Sequence, residues 1–318
     1  MKKVLITLPL SEKRMAAINK QIAADCIKDA NNIYGEVKRK ISNYEGLLLL
    51  GPIKKLDAAI LKEAKRLEII SNMGVGYDKI DIDFAKNNGI IVANTPHSVT
   101  IPTAELALAL MLGLGRRIVA SDRAIRKENL TSWYNAPLPS ITMRGKTLGI
   151  IGMGRIGKEV AQRAIAFGMK IVYYQRNPLS SVEEATYQAS YLPLNDLLQH
   201  ADIVTLHIPL NSSTHHLLGK KELALLKPTA LLINTARGNV IDEQALIELL
   251  QTGKIAGAGL DVFADEPQVP KIFSTLENVI LTPHIGTASF EARSAMLNEA
   301  MQNLVEYFSG KKVTNRVA

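Results

Sequence analysis

Residues 147–157 read Thr-Leu-Gly-Ile-Ile-Gly-Met-Gly-Arg-Ile-Gly, an apolar run that passes directly into three glycines spaced as GxGxxG. The run has the length of a buried strand, and an amphipathic helix through Phe167 and a second strand, Lys170 to Tyr174, follow it. In such a unit the first glycine permits the tight turn, the second admits a pyrophosphate, and the third lets helix and strand pack closely. The flanking strand, helix and strand therefore predict a dinucleotide-binding motif.

Strand-like and helical segments alternate along nearly the whole chain, which predicts a parallel α/β architecture. A long apolar helix is predicted from about Thr103 to Lys127, then an irregular stretch from Asn129 to Arg144, and a closing helix from Phe290 to Phe308. The further predicted strands are Val4 to Leu8, Leu47 to Leu50, Leu67 to Ser71, Ile90 to Ala93, Ile203 to His207, Ala230 to Asn234, Ile255 to Leu260 and Val279 to Leu281.

Two prolines within residues 94–102 interrupt this alternation and mark a crossing into a second domain. The chain is expected to cross back near Gly286 to Ser289, so that the closing helix packs on the first block of strands. We therefore predict a discontinuous first domain of residues 1–98 and 289–318. The second domain, residues 99–288, carries the dinucleotide motif.

The composition is that of an ordinary soluble globular protein, since 47% of the 318 residues are hydrophobic and 21% are charged. The formal net charge is +8, but the basic residues are scattered and not interleaved with aromatic side chains, which disfavours nucleic-acid binding. The lone cysteine, Cys26, cannot form an internal disulfide and is typical of a reducing compartment. No apolar run has the length of a membrane span, and Met1–Thr7 reads as a strand rather than as a signal peptide. These features predict a cytoplasmic enzyme.

Three side chains far apart in the chain, Arg237, Glu266 and His284, each follow a short apolar run. Ligands of parallel sheets bind outside the carboxyl ends of the strands, so these positions are candidates for one site. Arginine can hold a planar carboxylate through two hydrogen bonds, histidine can transfer a proton near neutral pH, and a carboxylate can orient that histidine. Taken singly, Arg237 is better interpreted as a surface arginine and His284 as a buried histidine. Together the three suit the reduction of a 2-oxo acid. No His, Cys, Asp or Glu cluster has metal-ligand spacing, so no metal is predicted.

Five further motifs occur in order around the glycine motif: Ser71–Asp78, Thr103–Ala107, Asn234–Gly238, Gly259–Phe263 and Pro283–Gly286. With it they resemble the D-isomer-specific 2-hydroxyacid dehydrogenase family, and within it the glyoxylate/hydroxypyruvate/2-ketogluconate reductase branch. The resemblance covers nearly the whole chain. It implies two Rossmann-like doubly wound parallel-sheet domains, a flavodoxin-like substrate domain and a dinucleotide-binding domain, with the site in the cleft.

The resemblance also implies a role for each candidate residue. Arg237 would bind the substrate carboxylate, and His284 would be the general acid. Glu266, rather than its neighbour Asp265, would keep that histidine protonated. The substrate-binding residues would be Arg237, His284 and the loop Met73, Gly74, Val75 and Gly76, whose backbone N–H groups would face the carboxylate.

The cofactor-binding residues that the resemblance implies surround the glycine motif and follow several strands. Asp261 matches a family residue that contacts the nicotinamide carboxamide, although a turn cap is the alternative. Trp133 resembles a residue that reaches the partner subunit's site, and simple burial is the alternative. The implied residues are Thr103, Gly152, Gly154, Arg155, Ile156, Gly157, Gln175, Arg176, Asn177, His207, Pro209, Thr214, Thr235, Ala236, Arg237, Asp261, His284 and Gly286.

The segment Val172–Pro178, at the end of the second strand of the motif, contains no acidic residue. A carboxylate there would accept from the ribose hydroxyls of NAD and repel a 2′-phosphate. Gln175, Arg176 and Asn177 offer donors and a positive charge instead, which favours NADP(H) while leaving NAD(H) open. Alternatively, Arg176 stacks on adenine and tolerates either cofactor.

The predicted function is NAD(P)H-dependent reduction of short 2-oxo acids, such as glyoxylate, hydroxypyruvate or 2-ketogluconate, to D-2-hydroxy acids. The resemblance further implies a homodimer through the cofactor domain. A cofactor-sensing transcriptional corepressor on the same fold is an alternative, as are D-lactate and D-3-phosphoglycerate dehydrogenases. The physiological 2-oxo acid stays open because pocket shape decides it.

Overall fold

The computed structural model describes residues 2–51, 55–128 and 140–318, which form two compact units. The first unit is Met1–Val99 with Ala288–Ala318, and the second is Thr100–Thr287. Trp133 lies outside the described residues. The assignment of substrate binding to the first unit stays a prediction.

The elements follow one another in the alternating order that the sequence predicts. The strands are β1 (Lys3–Ile6), β2 (Ala23–Cys26), β3 (Gly46–Leu49), β4 (Ile69–Asn72), β5 (Ile91–Ala93), β6 (Thr147–Ile151), β7 (Lys170–Tyr174), β8 (Ala189–Tyr191), β9 (Ile203–Leu206), β10 (Leu231–Asn234), β11 (Gly257–Leu260) and β12 (Val279–Leu281). The α-helices are α1 (Glu12–Asn19), α2 (Ile33–Lys40), α3 (Ala58–Glu63), α4 (Ile82–Asn87), α5 (Thr100–Gly115), α6 (Ile118–Glu128), α7 (Arg155–Ala166), α8 (Ser181–Thr186), α9 (Leu194–His200), α10 (Lys220–Leu223), α11 (Glu243–Gln251) and α12 (Phe290–Phe308).

The first unit is built on a parallel five-stranded sheet in the order β2-β1-β3-β4-β5. This is the flavodoxin-like strand order, with apolar clusters on both faces. The terminal helix α12 packs on β3 and β4 and buries Leu297, Met301 and Leu304. Because the sheet is covered on both faces, its strands are continuous apolar runs, which is why most of them could be predicted.

The second unit is built on a parallel seven-stranded sheet in the order β12-β11-β10-β9-β6-β7-β8. The chain passes outward from β6 to β8, returns to β9 and then continues in the opposite direction. Such a reversal leaves a crevice at the carboxyl ends of β6 and β9, and ligands of doubly wound sheets bind there. The predicted fold class of two doubly wound parallel sheets is confirmed.

Two strands were not predicted from the sequence, β2 and β8, and both are edge strands. An edge strand has one neighbour and is less buried, so it lacks the apolar run that reveals a central strand. No residue of β2 is fully buried, and β8 buries only Ala189.

The predicted long helix from Thr103 to Lys127 is wrong, because two helices, α5 and α6, replace it. They are separated at Arg117, whose φ is 54°. A left-handed residue ends an α-helix, since the next turn cannot continue the hydrogen-bond ladder. Apolar spacing runs across the break, so periodicity alone could not reveal it.

In the part of the chain that the structure describes, no helix is both long and apolar enough to cross a membrane.

Candidate active site

The predicted cofactor residues all lie in the second unit, and all but Thr103 lie in segments that follow the carboxyl ends of its strands. The strands concerned are β6, β7 and β9 to β12, which are parallel and therefore present these segments at one edge. The predicted substrate loop, Met73 to Gly76, follows β4 in the first unit. The carboxyl edge of the second sheet is therefore the candidate site.

The three glycines of the motif have three different environments. Gly152 has a φ of 99°, and a Cβ there would lie 2.5 Å from the His207 carbonyl oxygen. A Cβ at Gly157 would lie 2.2 Å from the Gly152 carbonyl oxygen, so only glycine lets the helix approach the turn. A Cβ at Gly154 would meet nothing within 4 Å. Gly154 is the N-cap of α7 and has open space where a pyrophosphate can approach the helix N-terminus.

Two buried polar atoms at this edge have no hydrogen-bond partner among the described residues: His207 Nδ1 and Thr235 Oγ1. Buried polar atoms in proteins are nearly always paired, so such atoms indicate a partner from outside the chain. Both residues belong to the predicted cofactor set. These two polar atoms without a partner and the space at Gly154 fit a bound dinucleotide.

His284 lies in a turn after β12 with its ring held against a carboxylate. Its Nδ1 is 2.8 Å from Glu266 Oε2, and Glu266 Oε1 accepts from the backbone N–H of Phe263 at 3.1 Å. The carboxylate beside the imidazole is therefore that of Glu266 and not that of Asp265. Because Nδ1 is engaged, Nε2 is the ring nitrogen that remains to meet a ligand.

His207 also lies at this edge, but its burial favours the neutral form of the imidazole over the imidazolium. Burial lowers the pKa of His207 to about 3. Its Nε2 lies 3.0 Å from Thr205 Oγ1. His284, in contrast, has a carboxylate against its Nδ1.

The backbone around His284 is held by the buried carboxylate of Asp261. Asp261 Oδ1 accepts from Thr282 Oγ1 at 2.6 Å and from Ile285 N–H at 2.8 Å, and Oδ2 accepts from Gly286 N–H at 2.9 Å. Burial raises the pKa of this carboxyl, and these three hydrogen bonds oppose the rise. Asp261 is thus an anchor of the turn, which was the alternative interpretation from the sequence. Its contact with a nicotinamide stays a prediction.

Arg237 begins the turn after β10, and hydrogen bonds define its backbone. Asn234 Oδ1 accepts from Ala236 N–H, and Asn234 Nδ2 donates to the Arg237 carbonyl oxygen, both at 3.0 Å. Arg237 Nη1 donates to the Ala236 carbonyl oxygen at 2.7 Å. A Cβ at Gly238 would lie 1.9 Å from the Phe263 carbonyl carbon, so the turns that carry Arg237 and Glu266 are in direct backbone contact. The three predicted catalytic residues follow three neighbouring strands.

The turn after β7 uses one predicted cofactor residue internally. Gln175 Nε2 donates to the Asn177 carbonyl oxygen at 2.7 Å, whereas Arg176 is exposed. Tyr173, which no sequence motif indicates, accepts a hydrogen bond from Leu179 N–H through its hydroxyl and donates one to Glu184 Oε1. The phenol of Tyr173 therefore stabilises the segment after β7, and only the fold reveals this role.

The other predicted cofactor residues lie on neighbouring segments of the second unit. Arg155 and Ile156 lie in the first turn of α7, and Thr214 Oγ1 donates to the Pro209 carbonyl oxygen at 2.6 Å. Thr103 is buried on α5, and a Cβ at Gly286 would lie 3.6 Å from its Oγ1. Within the described ranges, no three His, Cys, Asp or Glu side chains are grouped so that they could hold a metal ion.

Comparison with known proteins identifies the family. The family described as "D-isomer specific 2-hydroxyacid dehydrogenase, NAD binding domain" matches residues 108–286. A glyoxylate reductase from Thermococcus litoralis is 42% identical over 320 residues, which cover 99% of this chain and 96% of the relative. The chain belongs to the D-isomer specific 2-hydroxyacid dehydrogenase family. This confirms the family inferred from the motifs.

Solved structures are similar to this chain over nearly its full length. A protein from Thermus thermophilus has a TM-score of 0.90 at 36% identity, covering 99% of this chain and all of its own. An NADPH-dependent glyoxylate/hydroxypyruvate reductase from Sinorhizobium meliloti, solved with NADP and malonate, has a TM-score of 0.87 at 32% identity, with 100% and 97% of the two chains covered. This member of the 2-hydroxyacid dehydrogenases therefore binds a nicotinamide dinucleotide through its second unit.

Proposed function

We propose that the protein is an NAD(P)H-dependent reductase of short 2-oxo acids that forms D-2-hydroxy acids. The observation that carries this proposal is the Glu266–His284 pair, at 2.8 Å, beside the turn that holds Arg237. The relatives that share most of the chain, among them the glyoxylate reductase of Thermococcus litoralis, support the substrate class.

Each of the three side chains has a role that its chemistry suits. Arg237 binds the substrate carboxylate through two parallel hydrogen bonds, which orient the 2-oxo group. His284 donates the proton on Nε2 to the carbonyl oxygen. Glu266 stabilises the imidazolium before that transfer and keeps the ring in position. When bound, a reduced nicotinamide would supply the hydride for the carbonyl carbon.

The activity is tested with the purified protein, a panel of 2-oxo acids and both reduced cofactors. We expect turnover of glyoxylate and hydroxypyruvate, and a D product from hydroxypyruvate by chiral chromatography. Tight cofactor binding without turnover of any 2-oxo acid would contradict the proposal and favour the corepressor.

The proposed cofactor preference is NADPH over NADH. It is supported by the absence of an acidic side chain after β7, by the exposed guanidinium of Arg176 and by the NADP bound to the Sinorhizobium meliloti relative. A charge-assisted hydrogen bond to the 2′-phosphate is worth roughly 1.5–3 kcal/mol, so the preference in kcat/KM should be about ten- to a hundredfold. The double variant Gln175→Asp with Arg176→Ala should prefer NADH. A wild type that favours NADH would refute this assignment.

The proposed assembly is a homodimer through the second unit. The helix α6 supports it, because Ile118 and Ile125 are 56% and 57% exposed although they are apolar. Clustered apolar exposure on a protein surface marks an interaction site. Light scattering should report twice the mass of 34.8 kDa, and Ile118→Asp with Ile125→Asp should lower it.

A further inference from the structure

The loop Met73–Gly76 after β4 has three successive carbonyl groups, from Gly74 to Gly76, and all three accept hydrogen bonds. Asn72 Nδ2 donates to the carbonyl oxygen of Gly74 at 3.0 Å and to that of Gly76 at 2.8 Å. Asn94 Nδ2 donates to the carbonyl oxygen of Val75 at 2.8 Å. The backbone N–H of Thr95 adds a second bond to Gly74 at 3.2 Å. The two asparagine side chains thus hold all three carbonyls of this glycine-rich turn.

Holding the carbonyls determines where the N–H groups point. A peptide unit is planar and trans, so its C=O and N–H point in opposite directions. With the Gly74 carbonyl directed at Asn72 Nδ2, the N–H of Val75 points away from that side chain. With the Val75 carbonyl directed at Asn94 Nδ2, the N–H of Gly76 points away from the Asn94 side chain. Neither N–H donates to any acceptor in the described part of the chain, whereas that of Gly74 donates to the Asn72 carbonyl.

The sheet, and not the loop, positions the two asparagines. Asn72 is the last residue of β4 and Asn94 follows β5, and these strands are paired. Asn72 is only 9% exposed and Asn94 only 6%. Asn94 is itself held by α12, because Asn303 Nδ2 donates to its carbonyl oxygen at 3.0 Å. A glycine-rich turn is intrinsically mobile, so a rigid support is what would give its N–H groups a defined direction.

We propose that Asn72 and Asn94 are positioning residues for the 2-oxo acid. They hold the carbonyls of Gly74 to Gly76 inward so that the N–H groups of Val75 and Gly76 are aimed at the substrate carboxylate. Neither side chain touches the substrate. The inference rests on the proposed reductase function and adds to it the groups that orient the turn.

The test removes each donor without adding charge. Leucine has the branching of asparagine but no polar atom, so Asn94→Leu and Asn72→Leu delete the hydrogen bonds without adding charge. The control for the loss of such a hydrogen bond is Asn88→Leu, since the exposed Asn88 also donates through Nδ2 to a backbone carbonyl, that of Phe84 at 2.8 Å, at the end of α4 in the same unit. Steady-state kinetics with glyoxylate, inhibition by oxamate, NADPH affinity and melting temperature are measured for all four proteins.

The expected result is a selective loss of 2-oxo acid binding. KM for glyoxylate and the inhibition constant of oxamate should rise about ten- to a hundredfold in both site variants, the value of hydrogen bonds to a charged group. Turnover at saturation should change little, because the carboxylate is held equally in the ground and transition states. NADPH affinity should stay at the value of the control, since the cofactor residues lie in the other unit.

Three outcomes are distinguishable. A wild type that reduces no 2-oxo acid refutes the proposed function. A wild type that does so, with site variants whose KM values match that of Asn88→Leu, refutes the positioning role. If Asn94→Leu also loses NADPH binding and has a lower melting temperature, its KM cannot distinguish positioning from folding, and the KM of Asn72→Leu tests the positioning role. A purely structural role of Asn72 would lower the melting temperature without a selective rise in KM.

Discussion

At the scale of single residues, His284 combines a reactive side chain with a strained backbone. Its φ of 54° lies in the left-handed region, which costs a non-glycine residue about 1–3 kcal/mol. The Asp261 carboxylate compensates by accepting the N–H groups of Ile285 and Gly286. Such strain persists only where the surroundings impose it, so the orientation of this imidazole is a property of the whole turn.

His284→Ala should lower turnover by about 10²- to 10⁴-fold, the usual contribution of a positioned acid. Cofactor binding should survive, because the glycine turn after β6 and the side chains of His207 and Thr235 are unchanged. Stopped-flow hydride transfer and NADPH fluorescence titration measure the two effects. Near wild-type turnover at neutral pH would exclude His284 from the mechanism.

Arg237→Lys should impair use of the 2-oxo acid much more than cofactor affinity. Lysine keeps the charge but cannot form two parallel hydrogen bonds with a carboxylate. The loss in kcat/KM should be about tenfold or more, as for one charge-assisted bond. Kinetics at saturating NADPH with glyoxylate check this, and an equal loss of NADPH and substrate binding would indicate a structural role instead.

At the scale of secondary-structure elements, the β6–α7 turn depends on each glycine for a different reason. Gly157→Ala should destabilise the protein by about 1–3 kcal/mol, because its Cβ would lie 2.2 Å from the Gly152 carbonyl oxygen. Gly154→Ala should change stability far less, since its Cβ would meet nothing within 4 Å.

The variants Gly157→Ala and Gly154→Ala distinguish an effect on stability from an effect on cofactor binding. Gly154→Ala should weaken NADPH binding by about tenfold or more, because the methyl group would occupy the approach of the pyrophosphate to the helix N-terminus. Thermal melts and NADPH titrations on both variants provide the measurements. If Gly154→Ala binds NADPH as the wild type does, the pyrophosphate does not approach the chain at this glycine.

At the scale of the whole molecule, each unit contains a buried phenol that makes the fold sensitive to alkali. Burial, with a hydrogen bond to Asp25, raises the pKa of Tyr44 in the first unit to about 12. Burial, with a hydrogen bond to Glu184, raises the pKa of Tyr173 in the second unit to about 12. Below pH 10 these phenols are protonated in the folded and the unfolded chain alike. Between pH 10 and about 12 these two phenols ionise in the unfolded chain but not in the folded one. The free energy of unfolding should therefore fall as the pH rises through that range.

Tyr173→Phe should therefore alter the pH profile of stability. At pH 8 the variant should be less stable by about 1–3 kcal/mol, because Leu179 N–H and Glu184 lose their partner. Between pH 10 and 12 its stability should fall less steeply than that of the wild type. Urea unfolding followed by circular dichroism at several pH values measures both effects, and parallel profiles would contradict the assignment.

The sequence by itself determined the central strands, the glycine motif and the local setting of each candidate catalytic residue. Buried parallel strands are continuous apolar runs, and Gly157 is required by its contact with Gly152 in the same turn. These are short-range requirements, so they leave a pattern in the chain. The motif order was sufficient to infer the family, which the relatives confirm.

The tertiary structure decided which groups meet. The edge strands β2 and β8, the break at Arg117 and the partners of Gln175 and Tyr173 depend on neighbours that no local pattern encodes. Asn72 and Asn94 support one turn only because β4 and β5 are paired. A side chain's hydrogen-bond partner is determined by distance in space, whereas periodicity reports only which face of an element is buried.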